Sequence, residues 1–409
     1  MINNNKRLKS EQFTIVFLFF TFSFFLFFTQ STLAATLYLF PQSQTVYRGD
    51  SFLVEVRLDN ENQEINAAEV FINFPADKIE VKSVNQGGSD FSLWPKAPSF
   101  SNDKAEISFV GGAPGGIKRQ AKLVSILFEA KARQSDLADS ATISFGSESQ
   151  VLLNDGKGTK ADLSFVSGNF EIINKPGNLP IISSRSHPNQ NQWYKEKSFH
   201  LHWDMIDGAE YSYILSRDPV SEPDDIPDKP EGDLIWMGDI EYLGLEDGIY
   251  YFSLKQKLPK ENWSGVLRFR AMIDSTAPED FQPEIAKDPS LFNNKYFLSF
   301  ATEDKSSGIA YYEVLEEDKK GNYFGTKVKA DWKRAESPYV LRDQNLKSKI
   351  SVKAVDNAGN EKMRMIYPAK KPISYGLVLG ILLGGVIMGW IIYKASEKLK
   401  KDKKPKNRN

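Results

Sequence analysis

Ser51-FLVEVR-Leu58 decides how the rest of the chain is read. Phe52, Val54, Val56 and Leu58 alternate there with Ser51, Leu53, Glu55 and Arg57. Successive side chains point to opposite faces of a strand, so the octet predicts a β-strand with one buried face. Val70, Ile72 and Phe74 keep the same period, as do Ile143 and Phe145. Glycine, asparagine and proline clusters interrupt these runs at short intervals, and no soluble helical pattern exceeds two turns. The expectation is an all-β exterior built from β-sandwiches.

Three proline-bearing joints divide that exterior: Asn174-KPGNL-Pro180, Asp274-STAPE-Asp280 and Tyr367-PAKK-Pro372. Proline fixes φ and offers no amide donor, so such stretches end sheets and connect them semi-rigidly. The predicted modules are residues 36–174, 175–275 and 276–370. The second and third read as copies. Ser198-FHLHWDMIDGAEYSY-Ile214 aligns with Tyr296-FLSFATEDKSSGIAYYE-Val314: an alternating strand, an acidic turn ending in glycine, then a tyrosine-bearing strand.

Near the end of the third module, Ile350-SVKAVDNAGNEKM-Arg364 crowds Asp356, Asn357, Asn360 and Glu361 around Gly359. An EF-hand loop wants ligands at alternate positions and a glutamate at the twelfth, which this run lacks. Ile350, Val352 and Ala354 form a strand period that runs straight into it, and Asn and Gly supply the positive φ of a reversal. The segment is read as a structural turn. It resembles the closing turn of bacterial immunoglobulin-like or fibronectin type III-like surface domains, which implies that fold for modules two and three.

The ends set the compartment. Lys6, Arg7 and Lys9 precede an apolar run from Phe13 to Phe28, and Thr32-Leu33-Ala34-Ala35 offers small residues for cleavage. Residues 1–35 are expected to be a signal peptide, the run falling short of the roughly 20 residues a spanning helix needs. Ile373–Tyr393 is 21 uncharged residues and is expected to span the membrane as a helix. Tyr375, Trp390 and Tyr393 sit near its ends as interface anchors, with Lys394 beginning a basic tail over 394–409. The positive-inside rule places that tail in the cytoplasm and the modules outside, as a single-pass cell-surface protein. Gly376, Gly380 and Gly384 recur every four residues, a spacing that would support a weak homodimer.

Composition narrows the function further. Setting aside three basic and one acidic residue in the leader, and eight basic and two acidic in the tail, leaves 41 basic against 50 acidic. That balance argues against a nucleic-acid partner. The chain has no cysteine, so its modules rest on their cores rather than on disulfides. Three histidines, no GxSxG and no HExxH leave no recognisable catalytic constellation, and the chain is read as a non-enzyme without cofactors.

The first module carries the most specific likeness. Thr45-VYRGDSFLVEVRLDN-Glu61, then Ile65-NAAEVFINFPADKIEVKSV-Asn85 with its Phe74-PADKIE-Val81 corner, resembles the opening of a cohesin domain. Ala105-EISFVGG-Ala113 and Ala121-KLVSILFEA-Lys131 resemble its later strands, and Val151-LLNDGKGTKA-Asp162 its last hairpin. The resemblance covers about 130 residues and implies a sandwich of the type shared with carbohydrate-binding modules. It also implies calcium-independent, non-catalytic docking of a dockerin-like protein, with polysaccharide nearby; the alternative readings are a carbohydrate-binding module proper, with extracellular polysaccharide as the partner, and a structural envelope stalk without a discrete ligand. Repeated cohesins, surface-layer repeats and an LPxTG sorting signal are all missing from the chain.

Several clusters admit two readings. Phe91, Trp94 and Phe100 lie in a proline-containing stretch read as a loop; they either stack on sugar rings or, in the case of Trp94, cover one end of the sandwich. Val110-GGAPGG-Ile117 lacks the Lys-Ser/Thr of a P-loop and is expected to be a flexible connection. His200 and His202 share a strand face without the further ligands a zinc site requires, and are read as a solvated face. The acidic, proline-rich run Asp218–Leu234 is read as a solvated loop.

Overall fold

The computed structural model describes residues 34–132, 137–177, 179–228, 238–317 and 331–367. The expected leader and membrane helix, with Tyr375, Trp390, Tyr393 and Lys394, lie outside these ranges. No helix among the described residues is long and apolar enough to cross a membrane. Apart from one 3-10 turn at Phe292–Asn294, every regular element described is a strand.

The first module is a two-layer sandwich. One sheet contains β1 (Ala35–Phe40), β3 (Ser51–Asp59), β5 (Ile79–Asn85), β8 (Ala121–Ala130) and β11 (Leu163–Val166), in the order β11-β1-β3-β8-β5. The other contains β2 (Ser43–Tyr47), β4 (Ile65–Asn73), β6 (Leu93–Ser101), β7 (Glu106–Ile117), β9 (Asp139–Phe145), β10 (Gln150–Leu153) and β12 (Gly168–Ile173). Its order is β2-β12-β9-β4-β7-β6, with β10 also on β4. Early and late strands pair in parallel in both sheets, β1 with β11 and β2 with β12.

The β3 octet behaves as its alternation requires: Phe52, Val54, Val56 and Leu58 are buried while their neighbours are not. Phe52 stacks on Phe128 at 5.6 Å between centroids and tilts against Phe170 at 5.0 Å, so both sheets contribute rings to one core. β8 departs from alternation. Ser125 and Leu127 are buried as well as Val124, Ile126 and Phe128, so the strand is covered on both faces. The second cover comes from the other modules, whose Trp193, Ile249, Met272 and Ile309 line a 540 Å³ hollow with Leu53, Ser125 and Leu127.

Modules two and three repeat a three-plus-four plan. In the second, β13 (Ile182–Ser183), β15 (Phe199–Trp203) and β17 (Asp239–Tyr242) face β14 (Trp193–Tyr194), β16 (Glu210–Ser216), β18 (Gly248–Lys257) and β19 (Leu267–Ile273). In the third, β20 (Glu284–Lys287), β21 (Tyr296–Ser299) and β24 (Tyr339–Val340) face β22 (Ile309–Glu317), β23 (Lys333–Ala335), β25 (Lys349–Asp356) and β26 (Glu361–Ile366). The duplication read from sequence extends to single bonds. The Ile206 amide donates to Tyr211 Oη at 2.8 Å, and the Thr302 amide to Tyr312 Oη at 2.9 Å. Each tyrosine thereby ties the acidic turn to the strand that follows it. The copies differ at both edges of the four-stranded sheet: β14 adds beside β19 in module two, β23 beside β22 in module three.

Two expected loops are strands. Val110–Ile117 lies within β7 rather than forming a flexible connection, and the Phe91–Phe100 stretch is largely β6, an edge strand. β6 pairs with β7 through two register shifts, between Leu93 and Lys96 and between Lys96 and Ser99, which accommodate Pro95 and Pro98. Edge position and bulges are where a strand tolerates proline. Gly111 of β7 serves close packing: a Cβ there would sit 2.5 Å from Phe91 Cδ2 and 2.9 Å from Trp94 Cζ3. The expected closing hairpin survives as a bridge between Leu152 and Lys160, but β11 and β12 follow it.

Candidate functional site

A cleft of about 1080 Å³ opens between modules one and three. Leu93 and Trp94 of β6 form part of one wall; Tyr311 on β22 and Tyr339 on β24 form part of the other. Trp94 is half-buried, edge-on to Phe91 at 5.9 Å and to Phe109 at 6.0 Å, which anchors the ring against the module-one core. Across the cleft, the Arg334 guanidinium lies 4.1 Å from the centre of the Tyr311 ring. Arg334 is exposed, and among the described residues no carboxylate pairs with it.

The three aromatic residues named from sequence therefore part company. Trp94 lines the cleft. Phe91 touches it but is only 2% exposed and belongs to the core, where its ring packs on Gly111. Phe100, 42% exposed, lies at the far end of β6 and outside the cleft. Sequence reasoning missed Tyr311, Arg334 and Tyr339, because nothing local says that module three folds back against module one.

The cleft floor includes the turn Asp304–Gly308, and this turn belongs to a second constellation. Asp274, Asp304 and Asp356 are buried, each with one carboxylate oxygen within 4.8 Å of the others. Asp274 closes module two; Asp304 and Asp356 belong to module three. Asp274 accepts from the amides of Thr276 and Ser307, and Asp304 from those of Ser306 and Gly308. Asp356 accepts from the backbone and side-chain amides of Asn360, whose side chain also donates to the carbonyls of Asp274 and Thr276. Burial raises all three carboxyls above the ordinary carboxylate range, and their mutual repulsion adds to it. By chemistry the set could offer three oxygens to a hard divalent cation, which takes six to eight in the case of Ca²⁺. The expected structural turn at Asp356–Asn360 is a turn, and it also delivers Asp356 to this cluster.

Module one touches the same turn. Asn85 Nδ2 donates to the Ser307 carbonyl at 2.8 Å, and Asn357 Nδ2 donates to that same oxygen at 2.8 Å. A separate seat joins modules one and two: the buried Arg270 guanidinium donates to Asn191 Oδ1 at 2.6 Å, the Gln190 carbonyl at 3.0 Å and Ser51 Oγ at 3.2 Å. It has no carboxylate partner among the described residues, and burial lowers its pKa.

The remaining candidates are held in place by their surroundings. His200 Nε2 and His202 Nδ1 lie 3.1 and 3.3 Å from one oxygen, Asp239 Oδ1, on the neighbouring strand. Of the metal-ligating side chains described, only the three aspartates gather their atoms as a group. The described part of the acidic loop is pinned to its sheet: Tyr213 N donates to Asp228, and Lys255 Nζ to Asp225.

No protein-family model and no curated protein matches the chain. The solved structures to which it is similar include a non-cellulosomal cohesin from the archaeon Archaeoglobus fulgidus, at 17% identity and a TM-score of 0.29, over 34% of this chain and 91% of that one. Another is the third cohesin of ScaC, solved with the ScaB dockerin, from Acetivibrio cellulolyticus: 17% identity, TM-score 0.28, over 34% of this chain and 99% of that one. A third is the cohesin module of a Clostridium perfringens family 33 glycoside hydrolase, at 16% identity and TM-score 0.28, over 35% of this chain and 97% of that one.

Proposed function

We propose that the chain is a non-catalytic, membrane-anchored recognition protein of the cell surface, whose first module binds a dockerin-like protein module. The observation that supports this is an asymmetry of cover. Modules two and three sit against the outer face of the β3–β8 sheet, burying Ser125 and Leu127. The outer face of the β9–β12 sheet remains open, with Ser140, Thr142, Asn169 and Glu171 exposed side by side. Thr142 Oγ1 donates to Asn169 Oδ1 at 2.8 Å, which ties neighbouring side chains of this face together. A polar face built on paired strands suits a folded protein partner, since little is lost to ordering on binding. The partner class follows from the cohesin resemblance, as does the neighbouring polysaccharide. The anchor follows from the apolar run 373–393 and the basic tail.

The test uses the full chain in detergent micelles, with a dockerin-bearing hydrolase as bait. Capture of the bait, and its loss in Thr142→Arg/Asn169→Arg, supports the reading. Absence of capture, or capture that ignores the double variant, overturns it. Protease added to intact cells should digest residues 36–370 and spare the tail; the reverse pattern removes the surface role.

A further inference from the structure

The geometry points to a second binding site, distinct from the open sheet: the cleft between modules one and three takes a segment of neutral, hydroxyl-rich oligosaccharide. At about 1080 Å³ it lies at the upper limit of small-molecule sites, roughly 300–1,000 Å³, so it has room for several units of a chain rather than one ring. Its walls set an apolar pair against a tyrosine ring that carries the Arg334 guanidinium over one face. Leu93, 55% exposed, stands beside Trp94 on one side, and the Tyr311 ring faces the cleft from the other. Sugar rings carry apolar faces and polar rims, which is the pattern aromatic platforms recognise.

The polar lining argues for a neutral ligand. Glu303 and Glu336 present exposed carboxylates and Arg334 an exposed guanidinium without an ion-pair partner among the described residues. Lys305, the other cation at the rim, is already paired to Glu279 at 2.9 Å. Donors and acceptors are thus both on offer with no large surplus of either charge, as hydroxyl groups require. The Arg334 guanidinium lies over the Tyr311 ring at 4.1 Å, and among the described residues no carboxylate takes up its donors.

The strand that forms the wall argues against an extended peptide. A peptide that adds to a sheet edge needs a regular row of free amides. β6 is an edge strand, but Pro95 and Pro98 remove two donors, and two register shifts break the row. Recognition at this wall falls to side chains.

The site needs both modules, which separates it from any property of module one alone and from the dockerin-like partner. The full chain in micelles would be titrated with cellohexaose, maltohexaose, chitohexaose and a proline-rich peptide, following tryptophan fluorescence and calorimetry. The expected result is binding of one hexasaccharide, weakened about tenfold or more by Arg334→Ala and by Trp94→Ala, and unchanged in Thr142→Arg/Asn169→Arg. Arg334 is exposed, so its variant tests the site even if the Trp94 variant disturbs folding. Failure of all three sugars, binding indifferent to Arg334→Ala, or binding of the peptide alone would overturn the assignment.

Discussion

Gly87 of module one and Gly308 of module three lie backbone to backbone. A Cβ on Gly87 would fall 2.7 Å from the Gly308 amide nitrogen, and one on Gly308 would fall 2.9 Å from the Gly87 nitrogen. Real Cβ atoms do not approach backbone so closely, and Gly308 also holds φ at +77°. Gly87→Ala should therefore unseat the two modules at a cost of about 1–3 kcal/mol, the usual range for overpacking. Small-angle scattering should show a longer particle, and limited proteolysis a faster cut near residues 275–280. An unchanged scattering profile would contradict the contact.

The buried acids and the buried histidine pull pH dependence in opposite directions. The carboxyls of Asp274, Asp304 and Asp356 are raised from 3.8 chiefly by burial. A raised carboxyl binds its proton more tightly when folded, so its stabilisation is full below about pH 3.8 and is lost as pH rises through the folded values. Asp304→Asn should flatten that loss, so the variant gains on the wild type as pH increases from 4 to 7 in chelator-treated buffer. Thermal melts across that range would show it.

His187 behaves in the other sense. It is fully buried, edge-on to Tyr194 and Phe199, with Nε2 lacking a hydrogen-bond partner, and burial lowers its pKa from 6.5. Its contribution is present above about pH 6.5 and is lost as pH falls through the folded value, because only the unfolded state takes up the proton in between. His187→Phe should remove this acid-side loss of stability, visible as a flatter melting temperature below pH 6.5.

Residues 36–174 made alone should be poorly behaved. Leu53, Val84 and Leu127 line the hollow covered by the other modules, and without that cover they face water. Each leucine left exposed forfeits up to about 1.5–3 kcal/mol of burial. The fragment should bind a hydrophobic dye and self-associate, and Leu53→Lys/Leu127→Lys should restore a monomer. A monodisperse, dye-silent fragment would contradict the interface.

Gly111→Val should displace Phe91 and Trp94 from the β7 backbone. The expected change is a red-shifted tryptophan emission and a loss of about 1–3 kcal/mol in a denaturant titration. No change in either would mean that the two rings do not rest on this glycine.

Much of the fold was legible because one physical signal, the period of two, persists through Phe52–Leu58, Val70–Phe74 and Ile350–Ala354. The duplication of modules two and three was legible for the same reason. Two stretches were misjudged on composition: Pro95, Pro98 and the glycines of 111–116 read as loop, yet an edge with bulges absorbs the prolines and close ring packing demands Gly111. The candidate sites were less visible. Asp356 attracted notice, but Asp304 read only as part of an acidic turn, and the module-two turn that matches it, with Asp204 exposed, gathers no such cluster among the described residues. What differs is Asp274, 82 residues upstream of Asp356 and delivered by the junction between modules. Tyr311 and Arg334 became wall residues only because module three folds back. Contacts of this kind span more than 200 residues, as between Asn85 and Ser307, and no local period encodes them.

The seats at Arg270–Ser51 and Asn85–Ser307 also bear on how the chain would carry load. A tug on module one would be shared by both seats and the linkers in parallel, instead of passing along the linkers in series. Such a head would resist stretching until the seats let go together, then lengthen abruptly as the modules swing apart.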